Sequence, residues 1–414
     1  MSANENITNL LLNNIKTLNI PTKNDAIEKK IIGNLYNDLY ISYKKVKKMT
    51  KEKKIKINTI MPTNKNDIPK SYLFDSHFCI KGFKEIVYQE TTRVLVYNCV
   101  LRNIAVTINI NDLSGRDDIN KYTVIHVLSM IDLLMGYANI SKTKSLKIFL
   151  YLTDKKKLLP DSNVCVLNSE NVNSAVTYSC NVNGEILIFR KEEWLKCLIH
   201  ELFHSLCLDF ISLRGDEVVR TYLKSLFCVK SDYFLSESYN EWWATNLNCL
   251  LCSFMMLEKK NSKKECLEFY KLCITTEQMF TMIQITKVLR HMGLTYNMLI
   301  DKNIDCYIKE NLYKEKTNVF CYYIIKGILL FNNGLSMTFF KENNTSLLNF
   351  DKTPQTLEHF LNYIGKYYNT DDIKETFDKY DVFYNSLLKH DDKASATIME
   401  KLKNTMQMTL TSIN

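Results

Sequence analysis

The stretch from Gly184 to Phe210, GEILIFRKEEWLKCLIHELFHSLCLDF, constrains this chain most, because it sets ionisable groups where an apolar core has to form. Glu185 to Arg190 reads as a short β-strand, and from about Lys191 the pattern turns helical. Glu192 and Glu193 fall in the expected first turn, where carboxylates complement the positive end of a helix dipole. Trp194, Leu195, Leu198, Ile199, Leu202, Phe203, Leu206, Leu208 and Phe210 leave almost no polar face, so a buried helix is predicted. His200, Glu201 and His204 then need partners, since an isolated buried charge costs on the order of several kcal/mol.

Residues four apart share one helix face, so His200 and His204 can aim two ring nitrogens at a single ion. His-Glu-x-x-His is a zinc-binding pattern in which the Glu serves as general base. The plainer alternative is two core histidines bonded to backbone and a Glu paired with a lysine. A catalytic zinc needs a third protein ligand and leaves its fourth position to solvent. Downstream, SESYNEWWATNLN (Ser236 to Asn248) offers Glu237 and Glu241 on one predicted helix.

With these residues the chain resembles the thermolysin-like, or gluzincin, zinc metallopeptidases, whose third ligand is a glutamate. The family pattern, a ligand Glu with Asn just before it and a small residue at +3, fits Asn240-Glu241-Trp242-Trp243-Ala244 better than it fits Glu237. The resemblance therefore implies Zn²⁺ held by His200, His204 and Glu241. Glu237 is left as acceptor for a histidine N–H or as the alternative third ligand, and Glu201 as catalytic base. Thr245 stands where the family usually has an Asp that orients a ligand histidine, and the interval from His204 to Glu241 is longer than in thermolysin-like enzymes. NVNSAVTYSCNVNGEILIFRKEEW (Asn171 to Trp194) is further similar to gluzincin-like proteins of large DNA viruses, over roughly residues 145 to 250. In such a fold Asn173, Ser174 and Ala175 border a cleft where an extended peptide can add to the sheet edge; an ordinary polar turn is the competing reading. The resemblance also implies an oxyanion donor, His or Tyr, in the helical half: His291, Tyr296, Tyr322 or Tyr323, with the last two favoured. The implied substrate is a peptide or protein.

Composition sets the outer limits. With 414 residues, 46% hydrophobic and 24% charged, the chain is of the soluble globular kind. Its 13 scattered cysteines predict reduced thiols in an intracellular setting, without a disulfide framework or a cysteine zinc cluster. No secretory signal is visible, and no apolar run reaches the length of a membrane span. Much of the net charge of +9 sits in Lys44 to Lys56, read as a solvated helix end or linker, so nucleic-acid binding is disfavoured. Nothing in the sequence sets an oligomeric state.

The predicted fold class is α+β: a zincin-like small mixed or antiparallel sheet with the HExxH helix, followed by a large helical half. Residues 1–70 read as an N-terminal helical and basic region, 71–212 as the zincin-like subdomain, and 213–414 as the helical subdomain with the third ligand. Arg93 to Val100 and Asn103 to Ile110 are predicted as paired strands, Asn120 to Tyr137 as a helix, Lys144 to Leu152 as a central strand and Glu185 to Arg190 as an edge strand. The polar tail beyond Lys389 is expected to fray. The leading function is zinc-dependent peptide hydrolysis. The alternative is a non-catalytic protein that keeps zinc as a fold element or contacts nucleic acid or virion components.

Overall fold

The computed structural model describes all residues except 1–2, 114, 116–118, 214–215, 390–392 and 413–414. It is mixed α/β, 57% helical, and among the described residues its strands form a six-stranded mixed sheet. The strands are β1 (Lys56–Ile60), β2 (Thr91–Leu101), β3 (Ile104–Leu113), β4 (Ser145–Thr153), β5 (Ala175–Thr177) and β6 (Asn183–Arg190), in the order β1-β2-β3-β4-β6-β5. The β1/β2, β2/β3 and β5/β6 pairs are antiparallel; β3/β4 and β4/β6 are parallel.

Alternation along the strands divides the core. Ile148, Leu150, Ile186 and Ile188 enter the main hydrophobic cluster, while Phe149, Tyr151, Leu187 and Phe189 enter a smaller one with Phe74, Phe83 and Val176 on the other face. Both faces of the sheet centre are thus covered. This explains why β4 and β6 read as near-continuous apolar runs, as buried parallel strands do.

The paired strands, the helix Lys121–Tyr137 and the central strand β4 lie where the sequence placed them. The edge position does not. β6 is covered by β5, so the edge strand is Ala175–Thr177, and the polar Asn173-Ser174 stretch leads into it. Three residues are too short to show a period-two pattern in sequence.

The helix Asp25–Lys51 packs on Lys121–Tyr137, and β1 joins the sheet, so residues from Ile7 to Leu410 contribute to the same main cluster. Lys44, Lys47, Lys48 and Lys51 project into solvent, as the solvated-helix reading expected. None of the described helices is long and apolar enough to cross a membrane.

Two expectations are overturned. Cys180–Cys207 and Cys228–Cys306 are disulfide-bonded, joined across 27 and 78 residues by tertiary proximity that no sequence spacing announced. Cys249 and Cys252, a Cys-x-x-Cys pair inside one helix, remain buried free thiols. The tail beyond Lys389 does not fray over its described part. Lys393–Asn404 is helical, and Thr405–Leu410 is buried in the core.

Candidate metal centre

The motif helix, Trp194–Ser205, leaves β6 through a tight turn in which Glu193 adopts a left-handed conformation (φ 59°). That conformation costs a non-glycine residue about 1–2 kcal/mol. Glu192 and Glu193 do not lie in the first turn of the helix. Glu192 accepts the backbone N–H of Lys157 at 2.8 Å, and Glu193 accepts the Lys157 ammonium at 2.8 Å. Every residue of the motif helix is buried.

Its neighbour is the helix Leu235–Met256, buried from Leu235 to Phe254. Lys196, His200 and His204 repeat every four residues along one face of the first helix. Glu237, Asn240 and Glu241 share one face of the second. The pairing of Lys196 with Glu241, and of His204 with Glu237, shows the two helices running antiparallel. Trp242 Nε1 and Asn246 Nδ2 donate to Asn333 Oδ1 at 2.8 and 3.2 Å, which fixes the rotation of the second helix about its axis.

Glu237 Oε2 lies 3.0 Å from His200 Nε2 and 3.3 Å from His204 Nε2. His200, His204 and Glu237 form a buried group that could hold a metal ion, with one donor atom from each lying within 4.8 Å of the others. Tetrahedral ligands at zinc-like bond lengths of about 2.1 Å put donor atoms roughly 3.3 Å apart, so the donor set and its spacing fit a small divalent cation. Two imidazoles and one carboxylate suit zinc chemically.

Glu241 is placed differently from the sequence expectation. Both its oxygens accept from the Lys196 ammonium, at 2.9 and 2.8 Å, and Oε1 lies 2.9 Å from His200 Nδ1, off the line of a good hydrogen bond. Of the two carboxylates, the alternative third ligand, Glu237, is the one brought to both histidines. Glu237 meets the two Nε2 atoms, and Glu241 backs the far nitrogen of His200. The physical reason is Lys196, which lies one turn before His200 on the same face and draws Glu241 toward the start of the motif helix.

Asp209 does for His204 what Glu241 does for His200. Its carboxylate pairs with His204 Nδ1 and accepts Asn240 Nδ2 at 2.8 Å. Neither Asp209 nor Lys196 was singled out from sequence. The available signal was a lone charge inside an apolar run, Leu208-Asp209-Phe210 in one case and Leu195-Lys196-Cys197 in the other. Carboxylates behind ligand histidines are a common way of fixing ring orientation and tautomer.

Charge around the imidazoles is strongly negative. Burial opposes their protonation, but Glu237 and Glu241 outweigh it and lift His200 to about 9. Burial likewise opposes protonation of His204, and Glu237 and Asp209 outweigh it. Burial would raise Glu237 and Glu241, yet the histidines, and Lys196 for Glu241, hold both below the usual carboxylate range. Glu201 differs: burial pushes its pKa up, against the pull of His200 and His204. At 9% exposed it is slightly more open than His200, His204 and Glu237.

Of the four candidate oxyanion donors, Tyr322 lies at the site. Its ring is 6.2 Å from that of His200, edge to face, and it stands in a π-helical turn, Phe320–Ile325. Such turns recur at functional sites. Tyr323 instead donates to Met406 O at 2.6 Å and Tyr296 to Tyr368 O at 2.8 Å, while the His291 ring contacts Cys165 O at 3.3 Å. These three serve the fold. No protein-family model, curated protein or solved structure matches the chain.

Proposed function

We propose that the protein is a zinc-dependent peptidase, with His200, His204 and Glu237 as metal ligands and Glu201 as general base. The observation that carries this reading is the meeting of both Nε2 atoms with Glu237 Oε2 while each Nδ1 faces its own carboxylate. Bound zinc would polarise the scissile carbonyl and lower the proton affinity of the attacking water. Glu201, whose pKa is raised by burial, accepts that water's proton and passes it to the departing amine. The Tyr322 hydroxyl supplies a hydrogen bond to the carbonyl oxygen as negative charge develops there. Asp209 pairs with His204 Nδ1, and the Glu241 carboxylate, held by Lys196, stands beside His200 Nδ1, so that Nε2 of each ring faces Glu237. Elemental analysis finding one zinc per chain, with peptide cleavage that chelation abolishes and zinc restores, tests the reading. A chain that takes up no zinc refutes it.

Burial favours a second reading, a metal kept as a fold element: none of the histidines and carboxylates of the site exceeds 9% exposed. Full zinc occupancy without turnover on diverse peptide libraries would select it.

The two carboxylates give a separate prediction. Glu241→Gln removes only an outer partner and is expected to weaken zinc binding by about 10–100-fold. Glu237→Gln removes a ligand and should weaken it much further, as read by competition with a chromogenic chelator. The opposite order would reinstate Glu241 as the ligand.

A pH dependence follows from His200. Its folded pKa is raised, so the stability it contributes to the metal-free protein is full below its ordinary value of 6.5 and is lost as pH rises through about 9. Zinc must displace those protons, so its affinity should climb by up to roughly tenfold per pH unit for each proton released. The rise in melting temperature caused by buffered zinc, relative to chelated protein, is expected to grow from pH 6.5 to 9. A constant difference across that window would contradict the assignment.

A further inference from the structure

The segment from Thr405 to Thr411 follows the helix Lys393–Asn404 and lies in a channel through the core. Thr405 to Leu410 are buried, yet over this length the chain forms neither a helix nor a ladder strand. Buried backbone must find partners, and here they are mostly side chains. Glu193 accepts the amides of Met408 and Thr409, the latter at 2.6 Å, and Glu277 Oε1 accepts those of Leu410 and Thr411 at 2.9 and 2.7 Å. The carbonyl side is met by cations and amides. Lys326 donates to Met408 O at 3.0 Å, Lys287 to Thr405 O, and Gln284 to Thr405 O and Gln407 O at 3.2 and 2.5 Å. The backbone itself adds two contacts, Thr405 N to Lys401 O at 2.8 Å and Met406 N to Lys157 O at 3.0 Å.

Ionised side chains are costly to bury, and several of those in this channel have a main-chain atom of the segment as partner. Burial drives the Lys287 pKa well below its ordinary value, and its hydrogen bonds go to the carbonyls of Leu402 and Thr405. Extended peptides are held by hydrogen bonds to their main chain, with side-chain pockets setting preference; here carboxylates meet the amides and lysines meet carbonyls. Here the pockets receive Met406 and Met408, whose flexible thioethers adapt to irregular walls.

The same contacts reach the motif helix. Glu193, which holds two amides of the segment, is its left-handed entry residue. Lys196, which holds Glu241, has its Nζ 3.9 Å from Met408 Sδ. We propose that this channel is a binding site for an extended, uncharged, methionine-bearing peptide, that residues 405–411 are its resident ligand, and that its occupancy fixes the first turn of the motif helix. This goes beyond the peptidase reading and holds whether or not the helix carries a metal.

The test uses the full chain with Thr409→Pro, which removes one amide held by Glu193 and cannot reproduce the native grip. A fluorescent synthetic peptide of residues 405–414 is expected to bind this variant saturably and the wild-type protein, whose channel is filled, at least tenfold more weakly. Hydrogen exchange at Cys197 to His200 should quicken at least tenfold in the variant and slow again when peptide is added. A folded variant that ignores the peptide, or binds it without slowing exchange in the motif helix, overturns the proposal. Wild-type exchange stands independently of the variant's folding. The amides of Met408 to Thr411 should exchange together through an opening that leaves the helix Leu235–Met256 protected. Exchange of those amides only together with that helix would make the segment an inseparable part of the core and overturn the proposal.

Discussion

Glu201→Gln is expected to lower peptide hydrolysis by about 10²–10⁴-fold while leaving one zinc bound per chain. The substitution keeps the side chain's shape and removes its ability to take a proton. Glu201 lies one residue past His200 on a helix that is buried throughout, and it is not among the three groups whose donor atoms converge. Its loss should therefore spare the site's assembly. The residual rate comes from the remaining contributors, above all polarisation of the carbonyl and the Tyr322 hydroxyl. Tyr322→Phe is the companion variant, with a smaller loss confined to kcat. The informative pairing is turnover against metal content in the same preparation. Unchanged turnover in Glu201→Gln would refute the catalytic assignment, and loss of zinc would mean that Glu201 itself serves as a ligand.

The sequence made the buried motif helix and its pair of histidines on one face legible because both depend on local spacing: His200 and His204 four apart, set in an apolar run that had to be buried. The pairing of β2 with β3 and the central place of β4 were legible for the same reason, since long runs of nine to eleven residues carry their own signal. What failed was whatever depended on a partner distant in sequence. Glu237 and Glu241 are one turn apart on one helix, so spacing could not rank them. Their different placements come from Lys196, 45 residues earlier in the chain, which pairs with both oxygens of Glu241 and leaves Glu237 beside the two Nε2 atoms. Asp209 became a partner of His204 only once the chain turned back after the motif helix. The Thr405–Leu410 segment reads as a polar tail because its backbone partners are charged side chains supplied by other helices, an arrangement without periodicity.

Lys196→Met should destabilise the metal-free protein by about 3–5 kcal/mol, the range for removing one partner of a buried ion pair. Lys196 is 1% exposed and Glu241 4%, and the ammonium bonds both carboxylate oxygens, so methionine would fill the space while leaving the negative charge uncompensated. Burial works against the lysine's own charge, and contact with Glu241 more than offsets it, so the pair is ionised at neutral pH. If the cost is that of a stranded carboxylate, it should shrink when the carboxylate is also neutralised. Lys196→Met combined with Glu241→Gln is therefore expected to recover much of the loss in chemical denaturation, a coupling of roughly 1–3 kcal/mol between residues in contact. Zinc separates the two effects further. In the single variant Glu241 keeps its charge beside His200 Nδ1, so zinc binding should be spared. In the double variant the outer carboxylate is missing, and zinc affinity should fall about 10–100-fold below that of the single variant, as in Glu241→Gln, even though stability recovers. Strictly additive losses of stability would show that the two side chains act independently and would remove Lys196 from the account of how His200 is presented.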